Sequence, residues 1–156
     1  MSSTSEAPLW IKNGRVIDPA SKRDALGDVF AKNGVFVANL DDADRRAARV
    51  LDAAGRVVAP GFTDLQARLG EPGHTARETL KTGAHAAAAG GFTTVVVMPD
   101  TSPPADNVGT VRLIRSAARE TLVNILPTGT ITLGHKGEKL APIGSLKSAG
   151  AVAVTD

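Results

Sequence analysis

The chain has 156 residues, 42% hydrophobic and 22% charged, with 16 Gly, 9 Pro and no Cys. That balance describes about one globular domain and excludes disordered, collagenous and disulfide-framed classes. Eighteen Lys and Arg stand against 16 Asp and Glu, leaving a net charge of +2. So small an excess argues against nucleic acid as a partner, and one Trp with four Phe gives no base-stacking platform. No apolar run reaches the roughly 18 residues that span a bilayer, and Met1–Pro8 lacks the apolar core of a signal peptide. We therefore expect a cytoplasmic protein with no membrane partner and no thiolate metal site.

The first elements read as short strands and tight turns. Residues 1–8 are expected to be a disordered N-terminus and 9–60 a small β module. Leu9-Trp10-Ile11 and Arg15-Val16-Ile17 flank Lys12-Asn13-Gly14, while Asp28–Ala31 and Val35–Val37 flank Lys32-Asn33-Gly34. Asn-Gly between apolar runs predicts a hairpin, because both residues tolerate positive φ. Asp41–Arg49 reads as a solvated loop. It is no calcium loop, since Ala47 stands where the invariant Gly belongs. A third strand pair is expected around Ala53-Ala54-Gly55.

From Gly61 the period changes. Phe62–Ala67 predicts a strand, and Thr75–Ala89 a helix opened by a Thr75/Glu78 capping box and closed at Gly90-Gly91. Thr93–Met98 is almost wholly apolar and β-branched, as in a parallel strand covered on both faces. A helix over 107–120, a strand over 122–126, a short helix over 143–148 and a strand over 151–154 follow. Strand–helix–strand alternation gives a parallel sheet. A closed (β/α)8 barrel needs about 250 residues. Residues 61–156 therefore suit either a small open α/β sheet or the front of a larger barrel, and the second is favoured because the β module has few means of closing on itself.

Residues 57–73, Val-Val-Ala-Pro-Gly-Phe-Thr-Asp-Leu-Gln-Ala-Arg-Leu-Gly-Glu-Pro-Gly, resemble the first barrel strand of dihydroorotases in the amidohydrolase superfamily. That family reads Pro-Gly-Phe-x-Asp-x-His-x-His-Leu-Arg-Glu-Pro-Gly. The similarity continues through Glu78-Thr79, Ala86–Val95, Met98-Pro99-Asp100-Thr101 (family Met-Pro-Asn-Thr), Gly129–Thr132, Lys136-Gly137-Glu138 and Gly150–Ala153. Hydantoinases and allantoinases share the barrel, but Glu71-Pro72-Gly73 points to the dihydroorotase branch. The resemblance implies an α/β fold: a partial (β/α)8 TIM-type barrel, its first three to four strands over 61–156, preceded by a β-hairpin module that belongs to a composite β-sandwich.

It also implies a zinc-dependent cyclic amidohydrolase that closes carbamoyl aspartate to dihydroorotate in pyrimidine biosynthesis. In the His-x-His pair, residues i and i+2 of a strand share a face, so two imidazoles at a barrel mouth reach one metal ion. Here those positions hold Gln66 and Arg68. Gln offers a weak neutral oxygen; the guanidinium stays protonated and has no lone pair to donate. At 4 Å and an effective dielectric of 20 the repulsion is about 4 kcal/mol per unit charge, and roughly double against a dication. Gly70 stands where the resemblance places a substrate-gripping Arg, and Asp100 where it places a substrate-binding Asn. Zinc and substrate positions are thus expected to be lost together, with no cofactor kept.

Asp64 and Asp156 are candidate remnant carboxylates. Asp64 shares strand parity with Gln66 and Arg68 and is assigned a supporting hydrogen bond. Asp156 aligns with a carboxylate that joins the metal site in many bacterial members. Arg68 is expected either to pair with Asp156 or to reach solvent. His74, His85 and His135 lack i, i+2 or i, i+4 partners, and all three read as surface residues. The resemblance implies a non-catalytic pseudoenzyme that partners aspartate carbamoyltransferase, oligomeric at full length. Its alternatives are an active dihydroorotase or related cyclic amidohydrolase with an altered metal site, and an inactive fragment.

Overall fold

The computed structural model describes residues 7–156, which divide into two compact units, one ending at Pro60 and the other Gly61–Asp156. Residues 1–6 of the expected disordered terminus lie outside the described residues. Pro8 does not fit that expectation: it is buried, and its carbonyl accepts from Arg49 N at 2.7 Å.

The first unit is a five-stranded sheet. Its central strand is β1 (Leu9–Asp18), flanked on one side by antiparallel β2 (Arg23–Lys32) and then β3 (Val35–Val37). On its other side run two short strands parallel to it, β4 (Arg49–Asp52) beside Leu9–Lys12 and β5 (Val57–Val58) beside Arg15 and Val16. One of the two expected Asn-Gly hairpins forms. Lys32 pairs with Val35 across Asn33 and Gly34, at φ 53° and 75°, the mirror-image turn that matches strand twist.

The other Asn-Gly pair is no hairpin. Asn13, at φ 62°, is a bulge within one continuous strand, where the register slips between Ile11 and Gly14. The bulge is shaped by its neighbours: Asn13 N donates to Asp28 and Asn13 Nδ2 to Asp52, and a Cβ on Gly14 would lie 2.5 Å from Val58. The β1–β2 turn falls instead at residues 19–22, where Asp18 accepts from Ala20 N and Ser21 Oγ. The expected third strand pair is corrected too, because β4 and β5 each pair with β1 and not with one another.

The charged stretch expected as a loop holds a short helix, α1 (Asp42–Ala47). Asp41 caps it by accepting from Asp44 N, Lys32 pairs with Asp44, and the Arg45 guanidinium lies over the Trp10 and Phe30 rings at 5.5 and 5.9 Å. Capping, an ion pair and cation–π contact together order what polarity alone suggested was loop.

The second unit alternates strand and helix. Parallel strands β6 (Phe62–Ala67), β7 (Phe92–Val97) and β8 (Asn124–Pro127) lie side by side in that order. After Thr128 the chain continues as β9 (Gly129–Thr130), which pairs in parallel with β10 (Val154–Thr155). Helices α2 (Leu80–Ala89), α3 (Val108–Ala118) and α4 (Ile143–Ala149) are packed on one face. Leu80 and Ala84 of α2, Val111 and Ile114 of α3, and Leu146 and Ala149 of α4 meet Val95, Val97, Val123 and Ile125 in one buried cluster. Val96 is buried as well, so β7 is covered on both faces as its apolar run requires.

Helix α2 begins five residues later than its expected start. Its capping box is Thr79 with Thr82, and Glu71 adds a carboxylate that accepts from Leu80 N at 2.7 Å. Thr75 and Glu78 lie in a turn tied by His74 N to Gly70 O and Arg77 N to His74 O. The last strand is also displaced, to Val154–Thr155: Gly150 ends α4 at φ 109°, and the residues between lead into the strand with Val152 N donating to Pro127 O at 2.9 Å and Ala153 O accepting from Gly129 N at 3.0 Å.

Candidate functional site

Arg68, Asp100, His135 and Asp156 lie where the parallel strands of the second unit end. Two chemical arrangements occur there. Arg68, one residue past β6, donates from Nη1 to Asp100 Oδ2 at 2.6 Å, three residues past β7. Their side chains are 57% and 37% exposed. The expected pairing with Asp156 does not form: Arg68 pairs with Asp100, and its side chain stays exposed to solvent while doing so. Two departures noted separately, a cation at one position and a carboxylate at another, satisfy each other.

Asp156, just past β10, belongs to the second arrangement. Its Oδ1 accepts from Ile131 N at 2.9 Å and Thr132 N at 3.1 Å, and its Oδ2 accepts from Thr132 Oγ1. The Thr132 hydroxyl bond is the largest cause holding this carboxyl below its ordinary value, with the two amides adding to it. His135 Nδ1 stands 3.5 Å from Asp156 Oδ1, and its Nε2 lies 3.2 Å from the Pro99 carbonyl. His135 is therefore not a surface residue of chance. Its ring is half-buried between the ends of β7 and β10, on a 3₁₀ turn over Leu133–His135 in which Gly134 and His135 both take positive φ. Sequence reasoning missed His135 and Thr132, since their common partner is more than 20 residues away.

Asp64 is not on the Gln66–Arg68 face. Asp64 pairs with Val95 and Ala67 with Val97, so β6 spends one more residue than β7 over this stretch. The bulge reverses the alternation. Asp64 and Ala67 consequently line one groove of about 220 Å³ together with Gly83, Ala86 and Ala87 of α2. Asp64 Oδ1 accepts from Gln66 N at 2.8 Å, a backbone role that pins the bulge. Gln66 itself is exposed.

Gly70 is buried at φ 71°, and a Cβ there would lie 3.1 Å from the His74 carbonyl and 3.3 Å from Arg77 Nη2. Arg77 Nη2 also donates to the Arg68 carbonyl at 3.4 Å. His74 and His85 are exposed. A larger cavity of about 500 Å³ lies in the first unit among mainly apolar side chains, with none of these residues on its walls.

The family profile described as Dihydro-orotase-like matches residues 55–156. This chain belongs to the dihydroorotase-like family. A dihydroorotase of Solibacter usitatus is 46% identical over 96% of the chain, and one of Pelotomaculum thermopropionicum is 46% identical over 95%. The chain spans about 35% of the length of each. Among solved structures, an L-hydantoinase (dihydropyrimidinase) from Arthrobacter aurescens superposes with a TM-score of 0.78 at 27% identity, covering 94% of this chain and 32% of the hydantoinase. The α/β architecture is thus that of a partial amidohydrolase barrel domain. No helix among the described residues is long and apolar enough to cross a membrane.

The family resemblance brings zinc to the mouth of β6, and the donors present there do not fit it. Gln66 offers one weak oxygen, Arg68 offers none, and both oxygens of Asp156 already accept from β9 and the residues after it. Among the described residues no three His, Cys, Asp or Glu side chains converge on a common point.

Proposed function

We propose that this chain is a dihydroorotase-family scaffold without metal chemistry, the first part of a barrel that serves as a non-catalytic assembly partner of an aspartate carbamoyltransferase. The observation that carries the non-catalytic half is the Arg68–Asp100 ion pair at the mouth of β6. A cation already engaged by a carboxylate stands where the relatives' motif seats an imidazole. The guanidinium has no lone pair with which to bind a metal ion. Gly70 and Asp100 support the same reading on the substrate side, one offering no side chain and the other a carboxylate already bound to Arg68 where the relatives' motif carries an amide. The partner half rests on the family resemblance and on the pathway its relatives' name implies.

The test measures zinc content and turnover on the full-length protein. Less than 0.1 zinc per chain after purification in zinc-supplemented medium, with no interconversion of carbamoyl aspartate and dihydroorotate, is the expected result. One bound zinc with turnover sinks it. Co-expression with the carbamoyltransferase of the same organism should give a complex stable to gel filtration; separate elution sinks the partner half. A second reading, an active dihydroorotase, draws on the 46% identity to proteins of that name, and the same turnover assay decides it.

A further inference from the structure

We infer that Arg68 and Asp100 function as one unit, a charge-neutral clasp that joins the segments following β6 and β7 between two backbone bonds. Together with His135 and Asp156 it cross-ties the ends of the parallel strands through protein groups alone. The inference rests on the reading that no metal sits at this mouth. Past the strands, Met98 N donates to Ala67 O at 2.9 Å and, further on, Ser102 N donates to Pro72 O at 3.0 Å. The 2.6 Å Arg68–Asp100 contact stands between these two backbone bonds. From Asp100 the tie continues through its neighbour Pro99, whose carbonyl meets His135 Nε2, and through His135 Nδ1 to Asp156 past β10. Asp156 in turn holds Ile131 and Thr132 just past β9.

Two features make the pair a unit and not two unrelated residues. Its charges cancel, so removing either partner leaves the other charge without the group that balances it. The two positions are also far apart in sequence, and only the parallel register of β6 and β7 brings them together. A metal ion joins strand ends through shared ligands; here an ion pair and a histidine bridge perform the joining.

The experiment is a charge-swap cycle on the 156-residue chain, read by thermal melting. Arg68→Asp and Asp100→Arg are each expected to lower Tm by a few degrees, the scale an exposed pair reaches in a domain of this size. The double variant R68D/D100R should recover at least half of the summed loss, and 1 M NaCl should shrink the difference. If the double variant melts as low as the two single losses added together, the clasp is overturned. Should either swap fail to fold, the neutral cycle Arg68→Met with Asp100→Asn replaces it: a double loss no greater than one single loss supports the unit, and an additive loss overturns it. Native mass spectrometry with added zinc is run on the same samples. Zinc uptake by the unaltered chain would defeat the non-catalytic reading, whereas a failed cycle without zinc uptake would defeat only the clasp.

Discussion

Thr130 is fully buried, and its Oγ1 has no hydrogen-bond partner among the described residues. Its neighbour two residues before, Thr128, shows the satisfied case, with Oγ1 donating to the Val97 carbonyl at 2.7 Å. An orphaned hydroxyl loses its water without recompense, at a cost of about 1–3 kcal/mol, and Val keeps the shape without the oxygen. Thr130→Val should therefore raise stability by about 1 kcal/mol, whereas Thr128→Val should lower it by a similar amount. Urea denaturation of both variants checks the pair, and equal losses would show that Thr130 has a partner. At this scale the sequence was legible for charge but not for contact. Arg68 and Asp100 stood out as departures from a motif. That they meet, and that Asp156 turns to Thr132, follows from a register spanning 24 to 32 residues.

The elements divide according to how local their causes are. Strands β6 and β7 and helices α3 and α4 fall within a few residues of their expected bounds, since each is written in one window of apolar periodicity. The start of α2 was misread because two capping boxes compete within eight residues. Glu71, folding back onto Leu80 N, favours the one at Thr79. Thr79→Ala should cost about 1 kcal/mol and Thr75→Ala close to nothing. Thermal melts that reverse this order would restore the earlier start.

In the β unit, the carboxyls of Asp18, Asp24, Asp41 and Asp52 are all held below the ordinary 3.8, chiefly by Ser21, Arg15, Asp44 N and Asn13 respectively. A carboxyl lowered in the folded state contributes stability above its unfolded value and loses it as pH falls through the folded one. The β unit should accordingly hold its stability down to about pH 4 and lose it below, with Asn replacements flattening that slope. Chemical denaturation at stepped pH measures it, and an acid limb unchanged in the Asn variants would refute the assignment.

Taken whole, the 156-residue chain keeps large apolar side chains in water. Leu65 on β6 is 72% exposed and Phe36 on β3 is 80% exposed, and within the described sheet β6 pairs only with β7. Open strand edges beside apolar surface promote association. Light scattering of the isolated chain should rise with concentration, and Leu65→Lys should reduce it. A strictly monomeric chain at hundreds of micromolar would show that these surfaces do not drive contact.

What the sequence determined by itself was the alternation of elements, the family and the residue types at positions 66 and 68. Helix and strand periods act over a few residues, and whether a side chain carries a lone pair is a property of that residue alone. Tertiary structure decided the rest. It turned Asn13-Gly14 from a hairpin into a bulge, because β4 and β5 both needed β1 as their partner. It moved Asp64 off the mouth through a slip in register. And it gave Arg68 to Asp100 at 2.6 Å and His135 to Asp156 at 3.5 Å, because ion pairs select among whatever groups the sheet brings close, and no local pattern encodes that meeting.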